Sequence, residues 1–511
     1  MDRADPFTGY SVILRVLIYG VIPAFTAWQF IRLRRALHVF QLESYKRHWF
    51  RRWCAENTRR ALFLRRTSDA KKPLVMTGRA WRMVVTATIL SLLAILVPSA
   101  AAHLLGGAPY DLITAAVTMA AVFWFAPQIL VAADVLMTPV QNAVNGRFLK
   151  AATGKLRDFA PTVVGVTGSF GKTSTKVAVA RLLGAPAEVL ATPGSFNTPL
   201  GVSRTINEDL ERGHRWFVVE MGARQEGDVA EICAFVDPTI GVLTSIGPAH
   251  LESFGSLEAV RRAKYELIHS LPSSGTAVMN VDDEDVRRAA DSTDTVEVIR
   301  YGIDESGIPN VTARDLMITE RGTALTIVDR RSGAQVPVQT RLLGRHAVGH
   351  VLAGVAVALA SGRSLDELTD AIESLEPVEH RLQIIPGAGG VTVIDDAYNS
   401  NPSGAAAAIE VLERMPGRRK VVVTPGMVEL GDLQATANEE FGRRAALTAD
   451  TLIVVAPLNR DAIVSGAKSV RSDVELIIVD SLKEATARLR DVLGAGDVVL
   501  FENDLPDQYE G

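Results

Sequence analysis

The run Val163-Val-Gly-Val-Thr-Gly-Ser-Phe-Gly-Lys-Thr-Ser-Thr-Lys176 has the types and spacing to do chemistry. A β-branched stretch leads into a turn holding Thr167, Gly168, Ser169 and Gly171. Lys172, Thr173 and Ser174 then open a helical stretch. Glycines let backbone N–H groups approach phosphate oxygens, and a helix N-terminus adds its positive end. In such a loop the lysine reaches the β- and γ-phosphates and the next hydroxyl can ligate Mg²⁺. The spacing therefore predicts a nucleoside triphosphate site. Val166 stands where the common form of the loop has its first glycine.

Other groups follow along the chain. Glu220 ends the apolar run Trp216–Glu220. A carboxylate there suits a hard cation, and a salt-bridged strand end is the plain alternative. Taken alone, His250 in Gly247-Pro-Ala-His-Leu-Glu252 reads as a loop or core histidine. Lys264 in Ala263-Lys-Tyr-Glu266 alone reads as a solvated helix lysine. Asn280 and Asp283 of Asn280-Val-Asp-Asp283 alone suit a turn. Arg381 of Glu379-His-Arg-Leu382 suits an ion pair between domains. Asp396 and Asn399 of Asp395-Asp-Ala-Tyr-Asn-Ser-Asn-Pro402 follow a strand. Ligands bind there in α/β domains, although an Asx-rich turn has the same composition.

These segments, in this order, resemble the motifs of the Mur ligases. These ATP-dependent enzymes join a carboxylate to an amino acid or dipeptide in cell-wall precursor synthesis. The loop Thr167-Gly-Ser-Phe-Gly-Lys-Thr173 carries the resemblance together with the segments at Glu220, His250, Lys264 and Asn280. Two more, Asp395–Pro402 and Gly426-Met-Val-Glu-Leu-Gly431, are closest to the D-alanyl-D-alanine-adding group. The resemblance spans roughly 155–505. It implies ATP and Mg²⁺ as cofactors and an acyl phosphate that an amine then attacks. By resemblance, Thr173, Glu220, His250 and Lys264 form the metal set. An ammonium cannot ligate a cation, so Lys264 would carry a carbamate. Lys172, His250 and Lys264 would be catalytic. Thr167, Gly168, Ser169, Gly171, Lys172, Thr173, Ser174, Asn280, Asp283, Arg381 and Asp396 would bind ATP. Asn197, Tyr398, Asn399 and Asn401 are the substrate-side candidates. The partners would be a peptide carboxylate acceptor, nucleotide- or lipid-linked, and an amino-acid or dipeptide donor.

Three departures bear on the substrate. Nothing in residues 1–150 resembles the uridine nucleotide site usual in the family. Gly344-Arg-His-Ala347 has alanine where asparagine is usual. Phe501-Glu-Asn-Asp-Leu-Pro506 replaces a Lys-Gly-Ser-Arg run. That basic run suits a carboxylate, whereas an acidic segment suits a cationic amine. Other readings are a poly-γ-glutamate synthase-like ligase, a non-catalytic ATP-binding membrane scaffold and a transport ATPase. The last is disfavoured because the apolar runs hold no buried ionisable pair.

The elements that position these groups divide the 511 residues. Short β-branched runs alternate with Ala-rich helical stretches from about 155. That pattern predicts parallel sheets with crossover helices. The fold class is α/β: N-terminal transmembrane helices (1–150), a P-loop central domain (151–378) and a Rossmann-like C-terminal domain (379–511). Residues 296–341 are expected to form antiparallel strands and 346–376 a helical stretch. Two cysteines, Cys54 and Cys233, exclude a disulfide framework.

Three apolar runs lie at 10–31, 83–105 and 112–133, each long enough to span a bilayer. Between the first two, residues 31–82 carry 15 Lys and Arg against three acids. Basic loops stay cytoplasmic. The expectation is a multi-pass plasma-membrane protein with an outside N-terminus and cytoplasmic catalytic domains. Tyr45, His48, Trp49, Phe50 and Trp53, interleaved with cations, suit an anionic lipid surface rather than nucleic acid.

Overall fold

The computed structural model describes the chain except for residues 1–7, 44, 59–60, 62–72, 107–109, 250, 320–321, 399, 456 and 505–511. At 8–19, 106 and 252 it describes the backbone alone. His250 and Asn399, two of the expected site residues, thus lie outside the described residues. The chain divides into two compact units at Gly146–Arg147.

The first unit is helical. α1 (Thr8–Leu42), α2 (Arg47–Glu56), α3 (Gly78–Gly106) and α4 (Tyr110–Trp124) precede α5 (Ala126–Phe159), whose last turns belong to the second unit. Leu33, Leu37, Phe40 and Phe50 pack against Met83, Val84 and Leu130. The expected basic loop is therefore helical through much of its first half, with Arg32, Arg34 and Arg35 inside α1. Asp134 is buried and receives Arg47 Nε at 2.6 Å and Arg79 Nη2 at 3.0 Å. This ties both ends of the basic segment to α5.

α3 is long and apolar enough to cross a membrane. The expected span 112–133 is not one helix: α4 and α5 meet at Phe125 with a bend of 79°. The cause is Pro127, which has no N–H to give the carbonyl of Phe123 and whose ring crowds it. Arg32 Nη1 donates to that oxygen instead, at 2.6 Å. Gln29 Nε2 donates to the neighbouring Val122 oxygen at 3.2 Å. The broken turn keeps its hydrogen bonds because α1 supplies them.

The second unit holds two sheets. In the first, β1 (Thr162–Thr167), β2 (Val189–Ala191), β3 (Trp216–Glu220), β4 (Ile240–Leu243), β5 (Thr276–Asn280) and β6 (Glu297–Tyr301) are parallel. β7 (Val311–Thr319), β8 (Gly322–Asp329) and β9 (Gln335–Thr340) extend it as antiparallel hairpins. The order is β2-β3-β1-β4-β5-β6-β7-β8-β9. β6, expected antiparallel, pairs parallel with β5. The expected helix 346–376 ends at Ala360 and resumes at Thr369–Glu373. Helix α6 (Lys172–Leu183) packs with Gly344–Ala360 on one face through Val179, Leu182, Val351 and Val355. The other face packs Leu156 of α5 and the helix Leu257–His269.

The second sheet has β10 (Gln383–Pro386), β11 (Thr392–Asp396), β12 (Lys420–Thr424), β13 (Thr451–Val455), β14 (Glu475–Val479) and β15 (Val498–Glu502) in the order β10-β11-β15-β12-β13-β14. All but β10 run parallel. In the first sheet the chain leaves β1 toward β3 on one side and later adds β4 on the other. Such a switch point opens a crevice at the carboxyl ends of the strands.

Candidate active site

The loop after β1 is fixed from the neighbouring strand end. Ser169 N donates to Ser245 O at 2.9 Å, and Phe170 N donates to Ser245 Oγ at 2.8 Å. Gly168 (φ +148°) has no room for a side chain, since a Cβ would lie 2.1 Å from Thr244 Oγ1. Gly171 is left-handed (φ +77°) and lies against the ring of His350. It turns the chain into α6, whose N-cap makes no side-chain hydrogen bond. The first N–H groups of the helix thus face the cavity uncapped. Lys172 Nζ folds back on the loop, donating to Gly168 O at 2.8 Å and Ser169 O at 3.2 Å.

Glu220, at the end of β3, gathers the polar groups. Thr173 Oγ1 donates to Oε2 at 2.9 Å, Lys176 Nζ to Oε2 at 3.1 Å, and Asn197 Nδ2 to Oε1 at 3.0 Å. Lys172, Thr173, Asn197 and Glu220 line a cavity of about 240 Å³. Arg381, Asp396, Tyr398 and Asn401, from the second sheet and the segments beside it, line it as well. Ser169, Gly171 and Ser174 line it too. The Arg381 guanidinium lies 4.4 Å from the Tyr398 ring centre. Burial pushes the Asp396 carboxyl up to about 6, against the pull of Arg381. Asn401 caps the helix Pro402–Arg414, its Oδ1 accepting from Gly404 N at 2.9 Å.

Five expected residues do not line the cavity: Thr167, Gly168, Asn280, Asp283 and Lys264. Thr167 Oγ1 donates to Met221 O at 2.9 Å and anchors β1 to the end of β3. Asn280 Nδ2 donates to Thr244 O at 2.9 Å. Asp283 accepts from Asp285 N, Val286 N and Ile246 N, capping the helix Glu284–Ser292. Both hold the 244–246 segment, which in turn holds the phosphate-type loop. Lys264 is not the solvated lysine of its local sequence: it is 3% exposed. Burial, and then the charge of Lys172, drive its pKa well down. The Lys172 ammonium is also pushed down by burial, with Glu220 opposing.

Sequence reasoning assigned no role to Lys176, His346 and His350. Lys176 lies one helical turn beyond Lys172, a spacing that puts both on one face. His346 and His350 line the cavity, and Thr175 Oγ1 lies 3.0 Å from His350 Nδ1. Burial pushes both imidazoles down.

The residues fit the implied groups. Thr173 and Glu220 offer oxygen donors in mutual contact, suited to Mg²⁺, which keeps several waters and needs few protein ligands. The uncapped helix turn and the buried Lys172 are short of an anion that a triphosphate would supply.

A model of the Mur ligase middle domain matches residues 166–358, and one of the Mur ligase glutamate ligase domain matches 380–502. The UDP-N-acetylmuramoyl-tripeptide–D-alanyl-D-alanine ligase of Mycobacterium leprae is 35% identical over 390 residues, 70% of this chain and 74% of that one. The chain belongs to the Mur ligase family. It is an ATP-dependent, amide-bond-forming ligase, and its cofactors are ATP and Mg²⁺. Among solved structures, this Mur ligase is similar to MurF of Acinetobacter baumannii, with TM-score 0.63 and 26% identity over 70% of this chain and 77% of that one. It is likewise similar to the MurF ligase of Thermotoga maritima in complex with ADP, with TM-score 0.62 and 30% identity over 70% and 80% of the two chains. These relatives favour neither a glutamate-polymer ligase nor a non-catalytic scaffold.

Proposed function

We propose that this Mur ligase adds D-alanyl-D-alanine to a peptidoglycan-precursor tripeptide. The carrying observation is the Lys172–Thr173–Glu220 constellation lining one cavity together with Arg381, Asp396 and Tyr398. The acceptor carboxylate attacks the γ-phosphorus and ADP leaves. The donor amine then attacks the acyl phosphate carbon, and phosphate leaves as the amide forms. Mg²⁺, when bound at Thr173 and Glu220, neutralises phosphate charge. Lys172 steadies the same oxygens, and Arg381 and Asp396 orient groups from the second sheet. Burial lowers the Lys264 pKa and so favours its uncharged amine, which is the form that adds CO₂. This supports the carbamate reading of Lys264.

We infer that the first unit anchors the enzyme in the plasma membrane with the catalytic unit on the cytoplasmic side. Support comes from α3 and from the exposed apolar side chains Val85, Ile89, Leu93, Val97, Ile113 and Val117. Such patches need a partner. α2 buries Phe50 and exposes Arg51 and Arg52, as suits an anionic lipid surface.

The test is a phosphate-release screen on detergent-solubilised protein with mass spectrometry of products. UDP-N-acetylmuramoyl-tripeptide and its lipid-linked counterpart are each paired with D-alanyl-D-alanine and single amino acids. The expected result is phosphate release that needs acceptor and dipeptide together, with one new amide. Turnover with the lipid-linked acceptor alone would favour a membrane substrate. Release without amide would refute the proposal.

A further inference from the structure

Glu502 lies in the acidic segment that departs from the family pattern, yet it presents no charge to solvent: it is 1% exposed. β11 and β15 run parallel with Asp396 opposite Glu502 in register. The two carboxyls therefore stand side by side on one face, at the carboxyl ends of adjacent strands. Ser400 Oγ donates to Glu502 Oε1, and Ser400 lines the cavity.

We propose that Glu502 is a positioning residue for the amine donor: through Ser400 it holds the wall of the cavity formed by Tyr398, Ser400 and Asn401, and it does not itself meet the donor. The inference rests on the ligase reading above. The hydrogen bonds around Glu502 support it. The wall is pinned on its far side by the Asn401 cap of the following helix. Asn503, next in sequence, turns left-handed (φ +67°). Its N–H donates to Asp396 O at 3.2 Å, and its Nδ2 donates to Gly426 O at 2.6 Å. Glu502 and Asn503 thus join the loop after β11 to the loop after β12, and Val428, Glu429 and Leu430 of the latter also line the cavity. Ser400 is itself 8% exposed, so its hydroxyl has few alternatives to Glu502.

Glu502 Oε2 has no hydrogen-bond partner among the described residues. A buried carboxylate oxygen without a donor is costly as an anion. The hydroxyls of Ser400 and Thr424 relieve it only in part, and burial and Asp396 outweigh them. Asp396 comes from β11, with Arg381 beyond it, and neutral Thr424 comes from β12. Burial first, and then Asp396, push the Glu502 carboxyl up to about 8. At neutral pH the acid form holds Ser400. At higher pH a second negative charge appears beside Asp396 and loosens the wall.

The test uses the full chain, UDP-N-acetylmuramoyl-tripeptide as acceptor and D-alanyl-D-alanine as the amine probe. KM for the dipeptide and for ATP is measured from roughly pH 6 to pH 9.5, a range that brackets the titration of Glu502. Glu502→Ala is expected to raise the dipeptide KM about tenfold with the ATP KM within about twofold. Glu502→Gln should restore the dipeptide KM. It should also lack the rise in dipeptide KM that the native chain shows above about pH 8. Ser400→Ala should move in the same direction as Glu502→Ala, and the double variant should add little. An unchanged dipeptide KM in Glu502→Ala, an equal rise in ATP KM, or a native alkaline limb in Glu502→Gln would overturn the inference. If Glu502→Ala does not bind ADP and so has not folded, Ser400→Ala, which loses one hydroxyl, decides the matter. If the native chain forms no amide with these substrates, the ligase reading falls and takes this one with it. A normal native rate with unaffected variants overturns this one alone.

Discussion

Lys176 gives a test of the site that needs no substrate. It is 3% exposed and its partner Glu220 is 2% exposed. Lys176→Met keeps the stem and removes the charge. Glu220 then retains Thr173 Oγ1 at 2.9 Å and Asn197 Nδ2 at 3.0 Å as donors. Gly194 O loses the ammonium that it receives at 2.5 Å. Removing one partner of a buried pair costs about 3–5 kcal/mol. The two surviving donors place the change near the lower end, about 3 kcal/mol. In a unit of this size each kcal/mol moves Tm by about 2 °C, so the nucleotide-free variant should melt about 6 °C lower. Mg²⁺ and ADP should narrow that gap. Without the Lys176 ammonium competing for Glu220, a cation held by that carboxylate would bind more tightly, and the variant would gain more of the stabilisation that ligand binding gives. The assay is thermal unfolding with and without saturating Mg²⁺ and ADP. The gap should shrink by roughly half, the outcome of about a tenfold tighter cation. An equal gap under both conditions would refute the competition between Lys176 and the cation for Glu220. No gap without nucleotide would refute the pair itself.

Lys172→Ala should lower ATP turnover by about 10³ or more, the scale for losing a charge that a phosphoryl transition state uses; full amide formation in that variant would remove the phosphate-loop assignment. Lys264→Ala should be inactive and regain partial activity with added short-chain carboxylic acids, and an undiminished rate before addition would remove the carbamate from the mechanism. Asp396 is raised from 3.8 to about 6, so the folded state binds its proton more tightly than the unfolded state does. Stability should therefore fall as pH rises between those values, by up to about 3 kcal/mol; Asp396→Asn should flatten that slope in denaturant titrations. Ile89→Arg with Leu93→Arg, both exposed on α3, should cost about 2.5–3.5 kcal/mol each in a bilayer. Recovery in the membrane fraction should drop, and unchanged recovery would refute α3 as a span.

The strands were legible because buried parallel strands need continuous β-branched runs, and Val163–Val166 and Lys420–Thr424 have them. The loop was legible because glycines, a lysine and a hydroxyl at that spacing suit few other structures. The use of each polar group was less legible. Asp283 could ligate a ribose or cap a helix; that it does cap one follows from Ile246 N, Asp285 N and Val286 N all lying within reach, a matter of tertiary placement. Lys264 reads as solvated from its neighbours and is buried because helix Leu257–His269 turns that face to the sheet. The break at Phe125 had a local sign, Pro127, but an apolar run scored only for hydropathy conceals it. Glu502 is the sharpest case. Read as sequence, it is a negative charge offered to an amine. Placed at the end of β15 beside Asp396, with Ser400 as its donor, it is a carboxyl whose proton is held by burial. Its effect on the donor would then pass through the loop it supports. A charge-reversal argument made from the sequence alone would therefore predict the wrong variant: replacing Glu502 with lysine would test burial, whereas replacing it with glutamine tests the proton.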